Sequence, residues 1–180
     1  TFLKVGDRVN VREYVTINRP TGENETTVIG NDCLFMAYAH VAHNCELGDR
    51  VIMANTATLG GHIQVGHGAI LGGLVAVHQF VHIGQFSIVG GSSGVRKDIL
   101  PFTMASGFPC SPHGLNIVGL KRRGFSRERM INLRHAYRII FRSGMRLDEA
   151  TQKLKEDFAG NQDVQLLIDF IENTQRGLAR

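Results

Sequence analysis

Every sixth residue from Ile29 to Val95 is apolar: Ile29, Phe35, Val41, Leu47, Met53, Leu59, Val65, Leu71, Val77, Ile83, Val89 and Val95. Chance would give such a run with odds of roughly one in ten thousand or worse. The residue after each is very often small, as at Gly30, Ala42, Gly48, Ala54, Gly60, Gly66, Gly72, Gly84 and Gly90. The residue two before the next is small or aliphatic, as at Cys33, Ala39, Cys45, Val51 and Ala57. Neither the helical period nor simple alternation produces this spacing. A fixed period of six predicts a parallel β-helix of hexapeptides, each giving a short strand and a turn, three to a triangular coil. The sixth residues point to the axis and stack on their equivalents in neighbouring coils. The residue after each is expected to make the tight turn, which favours a small side chain. One coil cannot bury its own inner face, so the coils must stack.

The same phase reaches back through Ile17, Val11 and Val5, which places residues 1–100 in the solenoid. Because the chain begins in phase, further coils are expected before Thr1. The pattern breaks at Asn18-Arg19-Pro20-Thr21-Gly22-Glu23-Asn24-Glu25, a polar stretch that reads as an external loop at about 18–28. Pro101, Pro109 and Pro112 mark residues 101–113 as an irregular connection. Residues 114–180 then form a helical domain. Ser126 caps a helix with apolar positions Met130, Leu133, Tyr137, Ile140 and Phe141, and Gly144 ends it. Leu147, Ala150, Leu154 and Phe158 mark a second helix, and Asn161 caps a third carrying Val164, Leu167, Ile168 and Ile171.

A length of 180 residues with 43% hydrophobic residues suits one or two domains with ample core. No apolar run is long enough to span a bilayer, so no integral membrane segment is expected. The three cysteines, Cys33, Cys45 and Cys110, lack metal spacing and read as reduced core thiols of a cytoplasmic protein. The formal net charge is +4, and the segment from Lys121 to Arg146 is rich in Arg. That is a solvated face or a dock for an acidic partner. No nucleic-acid motif is present, and no aromatics interleave the charges.

The histidines carry the chemistry. Residues eighteen apart share a column, one coil apart, or about 4.8 Å along the axis. His43, Gly61 and Gln79 form one column; Asn44, His62 and Phe80 form the next, with His78 beside Gln79. His40 lies one strand away. Imidazoles gathered at one corner suggest either metal binding or proton transfer. A metal requires ligands converging at about 2.0–2.1 Å, and no carboxylate or thiolate sits in the cluster. A His general base with the Gly61 backbone N–H at an oxyanion fits better.

Four segments also carry a resemblance: Ala39-His40-Val41-Ala42-His43-Asn44-Cys45, Ala76-Val77-His78-Gln79-Phe80, Gly119-Leu120-Lys121-Arg122-Arg123-Gly124-Phe125-Ser126, and the ending Arg176-Gly177-Leu178-Ala179-Arg180. In order and spacing they resemble the UDP-N-acetylglucosamine acyltransferases of lipid A biosynthesis. The resemblance implies a left-handed parallel β-helix, a homotrimer, and active sites between neighbouring subunits. It implies transfer of an (R)-3-hydroxyacyl chain from acyl carrier protein to the sugar 3-hydroxyl of UDP-N-acetylglucosamine. No cofactor is implied beyond the phosphopantetheine that carries the acyl donor. By the same resemblance His43 is the general base and Gly61 the oxyanion donor. His40 and Gln79 contact the sugar, and His62 and His78 line the cleft. Asn116, Arg122 and Arg123 lie on the nucleotide and phosphate side, and Gly91 floors the acyl groove as its ruler.

Two departures stand out. Asn44 follows the base where members often carry Asp, so the imidazolium is expected to lack a neighbouring charge. Val118 replaces a uridine-contacting acid. The alternatives are an acetyl-CoA-dependent hexapeptide acetyltransferase, transfer to a 3-amino sugar nucleotide, and a non-catalytic trimeric scaffold.

Overall fold

The six-residue repeat folds into three parallel sheets around one apolar interior. A computed structural model describes all of residues 1–180. The first face holds strands Phe2–Val5, Thr26–Ile29, Glu46–Leu47, Gln64–Val65 and His82–Ile83. The second holds Asn10–Val11, Leu34–Phe35, Ile52–Met53, Ile70–Leu71 and Ile88–Val89. The third holds Thr16–Ile17, His40–Val41, Thr58–Leu59, Ala76–Val77 and Gly94–Val95. Leu47 pairs with Val65 and Val65 with Ile83, the eighteen-residue step that the period requires. From Ile29 onward the sixth residues and those two before them form the sealed interior: Phe35, Ala39, Val41, Cys45, Met53, Leu59 and Leu71 are fully buried, whereas Val5 and Val11 of the first coil are exposed.

The turn differs from expectation. The left-handed residue of each corner is the third after the apolar position, at Asp32, Tyr38, Asn44, Arg50, Thr56, His62, Gly68, Leu74, Phe80, Phe86 and Ser92. The small residue directly after the apolar position has a different reason. Coils stack so closely that a Cβ on Gly48 would lie 2.9 Å from the His67 backbone nitrogen, and one on Gly60 2.9 Å from that of Gln79. Close backbone approach, rather than positive φ, selects Gly there.

Residues 101–113 are also more ordered than the prolines suggested. Thr103–Ser106 continues the second face in parallel, and Ser111–Leu115 folds back on it antiparallel. Pro112 is tolerated because its strand is the outermost of that sheet. An antiparallel hairpin carries no six-residue signal, so the period could not reveal it. The excursion from the third to the first face covers residues 18–25, shorter than the expected loop, because Thr26–Ile29 is a strand.

Four helices follow where three were expected. The additional one, α1 (Ile117–Arg122), is too short to show a period and is capped by the Asn116 side chain. α2 (Arg127–Arg142) is capped by Ser126, and α4 (Gln162–Glu172) by Asn161. At the start of α3 (Leu147–Asp157) the Glu149 carboxylate accepts from the Arg146 N–H. Their apolar faces enclose a second core that includes Leu120, Leu133, Ile140, Leu154 and Leu167. Leu100, Phe102 and Leu115 belong to this second core, while Ala179 reaches back into the solenoid core.

Candidate active site

The chain turns from the third face to the first at His43-Asn44, Gly61-His62 and Gln79-Phe80. These pairs stack on one edge of the prism. The His62 N–H donates to His43 O at 3.0 Å, and the Phe80 N–H to Gly61 O at 3.1 Å. The His43 and His62 rings meet edge to face at 5.2 Å, and His62 stacks on Phe80 at 4.9 Å. His78 joins the same edge, its Nδ1 3.0 Å from Gln79 O. His40 stands on the third face with Nδ1 2.7 Å from Thr16 Oγ1.

His43 lies directly over Gly61. A Cβ on Gly61 would overlap the imidazole and sit 2.7 Å from Nε2. The Gly61 N–H itself has no acceptor within the chain. On the edge between the first and second faces, the equivalent amides of Asp7 and Asn31 donate to the Asn31 and Asp49 side chains at 2.8 and 2.7 Å. At those corners a side chain of the next coil takes the amide proton, whereas the Gly61 amide has none and lies under the His43 ring.

The hydrogen bonds fix the His43 tautomer. Asn44 Nδ2 donates to the Glu25 carboxylate at 2.6 Å, and a carboxylate only accepts. Asn44 Oδ1 therefore faces His43 Nδ1 at 2.9 Å, so Nδ1 carries the proton. That leaves the Nε2 lone pair free, above Gly61. Thr27 Oγ1, buried behind the corner, accepts the Asn44 N–H at 3.0 Å. Cys45 lies beneath, donating to Gly60 O at 3.1 Å, and burial pushes its thiol up to about 11. No three His, Cys, Asp or Glu side chains converge as metal ligands would.

The structure separates the other expected residues from this edge. Asn116 is buried at the start of α1: Oδ1 accepts the Gly119 N–H at 3.1 Å and Nδ2 donates to Phe86 O at 2.9 Å. Its amide is committed to joining α1 to the edge between the first and second faces. Arg123 sits on that same edge, donating to Gly68 O at 2.8 Å with its guanidinium over Phe86. Desolvation, then the Arg50 cation, draw its pKa below the ordinary value. Arg122 beside it is exposed. Gly91 is on the remaining edge, where a Cβ would meet only the Gly73 backbone, its oxygen at 3.1 Å. Along the first face, between the His and Arg edges, runs a groove of about 540 Å³ lined by residues including Glu46, Gln64, His82, Gln85 and Phe170.

Sequence reasoning missed Glu25 and Thr27. A signal existed: Ile17 to Ile29 preserves the phase with one hexapeptide too many, so the extra residues must emerge on the His43 edge, one coil earlier.

Comparison with known proteins places the chain among close likenesses. The family model described as Udp N-acetylglucosamine O-acyltransferase, domain 2, matches residues 98–179, and the bacterial transferase hexapeptide model matches residues 26–61. The acyl-(acyl-carrier-protein)–UDP-N-acetylglucosamine O-acyltransferase of Halorhodospira halophila is 49% identical over all of this chain, which spans 70% of that protein. The protein of the same name from Gloeothece citriformis is 47% identical over 96% of this chain and 62% of its own length. Among solved structures, LpxA from Acinetobacter baumannii superposes with a TM-score of 0.95 at 38% identity, covering 99% of this chain and 70% of that one. The Arabidopsis UDP-N-acetylglucosamine acyltransferase gives 0.95 at 35% identity, covering 99% and 66%.

Proposed function

This chain belongs to the UDP-N-acetylglucosamine O-acyltransferase family, and from that membership we propose how its own residues perform the reaction. It transfers an acyl group from acyl carrier protein to UDP-N-acetylglucosamine in lipid A biosynthesis. The acyl group is an (R)-3-hydroxyacyl chain and the acceptor is the sugar 3-hydroxyl. His43 Nε2 takes the hydroxyl proton as the oxygen attacks the thioester carbon. The negative charge that develops on the carbonyl oxygen is met by the Gly61 N–H. Collapse breaks the C–S bond, and the departing phosphopantetheine thiolate recovers the proton from His43. The observation that carries this reading is the Asn44 bond to His43 Nδ1, which leaves Nε2 as the free base directly above Gly61.

His40, His62, His78 and Gln79 line the sugar side of the cleft. Arg122 and Arg123 serve the phosphates, for which paired guanidinium donors are suited. Asn116 acts indirectly, holding the short helix that carries Arg122. Gly91 floors the acyl groove. These groups occupy three different edges of one prism, which supports a homotrimer in which the edges of neighbouring subunits face one another. The solenoid is a left-handed β-helix in this reading, the enzyme acts in the cytoplasm, and it uses no cofactor of its own. No helix is long and apolar enough to cross a membrane.

The test is acyl transfer from 3-hydroxyacyl carrier proteins of several lengths to UDP-N-acetylglucosamine. His43→Ala is expected to lower the rate at least about a hundredfold with an unchanged sedimentation profile. A variant as fast as the native enzyme would remove His43 from the role of base.

A further inference from the structure

The family resemblance led to the expectation that Asn44 leaves the base without a neighbouring charge. The surroundings of Asn44 contradict it. The Glu25 carboxylate accepts from Asn44 Nδ2 at 2.6 Å, and Asn44 Oδ1 in turn bonds His43 Nδ1 at 2.9 Å. Imidazole, amide and carboxylate thus form one continuous chain from residue 43 through 44 to 25. We propose that Glu25 is a positioning residue for the reaction, supplying through Asn44 the negative charge that orients His43 and stabilises its protonated form.

The excursion at residues 18–25 is built around this carboxylate. Glu25 Oε2 also accepts the Gly22 N–H at 3.1 Å, and a Cβ on Gly22 would overlap the carboxylate. Gly22 therefore keeps the space that Glu25 occupies. Thr21 closes the loop over Asn44, its N–H 3.3 Å from Oδ1, and Pro20 is buried beneath. The hexapeptide inserted without loss of phase delivers an anion to the one edge where a proton is to be taken. The amide between the two groups is polarised by the anion on one side and the imidazole N–H on the other. A hydrogen-bond chain of this kind strengthens cooperatively. When His43 accepts the hydroxyl proton at Nε2, its positive charge is met by an amide oxygen whose own N–H is held by a carboxylate. The function of a carboxylate placed directly on Nδ1 is thereby divided between two residues.

This inference rests on His43 being the base, so its test includes His43→Ala. Glu25→Gln keeps an acceptor for Asn44 Nδ2 and for the Gly22 N–H while removing the charge. It is expected to lower kcat at least about tenfold, with the KM for both substrates and the melting temperature unchanged. Adding Asn44→Asp to Glu25→Gln places a carboxylate on Nδ1 directly and is expected to restore most of the lost kcat. A role confined to loop structure would show neither the kcat-only loss nor that rescue. Native kcat in Glu25→Gln, or a loss that Asn44→Asp does not relieve, would overturn the role of Glu25 while an inactive His43→Ala left the base in place. An active His43→Ala enzyme would overturn both.

Discussion

Gly61 is the most tightly constrained position at the site, because the space of its missing side chain is filled by the His43 ring. Its φ is not in the left-handed region, so the backbone itself tolerates Ala there. Gly61→Ala is therefore expected to fold yet displace the imidazole, lowering acyl transfer by about a hundredfold or more. An unchanged rate would show that His43 acts from another position. Beneath the same corner, Cys45 couples the site to alkaline stability. Burial raises its thiol to about 11, while the unfolded thiol ionises near its ordinary value of 9. As pH rises past 9 the unfolded chain loses this proton first, so the stability present below pH 9 is lost progressively toward 11. By pH 10.5 the loss from this group amounts to about 2 kcal/mol. Denaturant titrations at pH 8 and 10.5 would show it as a fall in the native protein that is reduced in Cys45→Ala; equal falls in both would contradict it.

At the scale of elements, two-residue strands have almost no stability alone, and the stacked interior holds them in register. Leu71 is fully buried and flanked above and below by Val89 and Met53. Leu71→Ala opens a cavity that a stacked column cannot collapse to fill, with an expected cost of about 3 kcal/mol. Equilibrium unfolding would measure it, and a cost below about 1 kcal/mol would mean that neighbouring coils slide to close the gap. The helices follow ordinary terminal chemistry: Ser126 and Asn161 accept the Arg129 and Val164 N–H groups that begin α2 and α4. Arg129 and Asp163, joined by two hydrogen bonds at 2.7 and 2.8 Å, connect the starts of those same two helices.

For the whole molecule, one buried carboxylate joins the two cores. Asp98 is fully buried and accepts from the His82, Gln175 and Arg176 N–H groups and the Thr174 hydroxyl. Its backbone pairs with Gly177 and Ala179. Asp98→Ala leaves those four donors without their shared acceptor, with an expected loss of about 3 kcal/mol and a detached C-terminal segment. Hydrogen exchange at residues 174–179 would report the detachment, and protection equal to the native protein would refute it. The segment it holds also brings Gln175 to line a cavity together with Asn44, His62 and Phe80.

The hexapeptide period was legible because it is geometry written as hydrophobicity: three strands per coil leave one inward pair every six residues. For the same reason the columns are legible in the sequence, and His43, Gly61 and Gln79 do stack. Helices α2 to α4 were legible from caps and apolar spacing, whereas α1 and the Thr103–Leu115 hairpin carry too few turns or too mixed a pairing to leave a period. What the chain's order could not convey is which side chains meet across an edge. The resemblance put Asn116 on the nucleotide side, and its amide is spent on Phe86 and Gly119. Asn44 looked like a lost charge and is bonded to Glu25, nineteen residues away on a loop whose path no repeat dictates. Local spacing specifies which residues face inward and which share a column. Tertiary structure alone decides how an excursion outside the repeat returns to meet them, because that path is set by packing and hydrogen bonds between residues with no fixed separation.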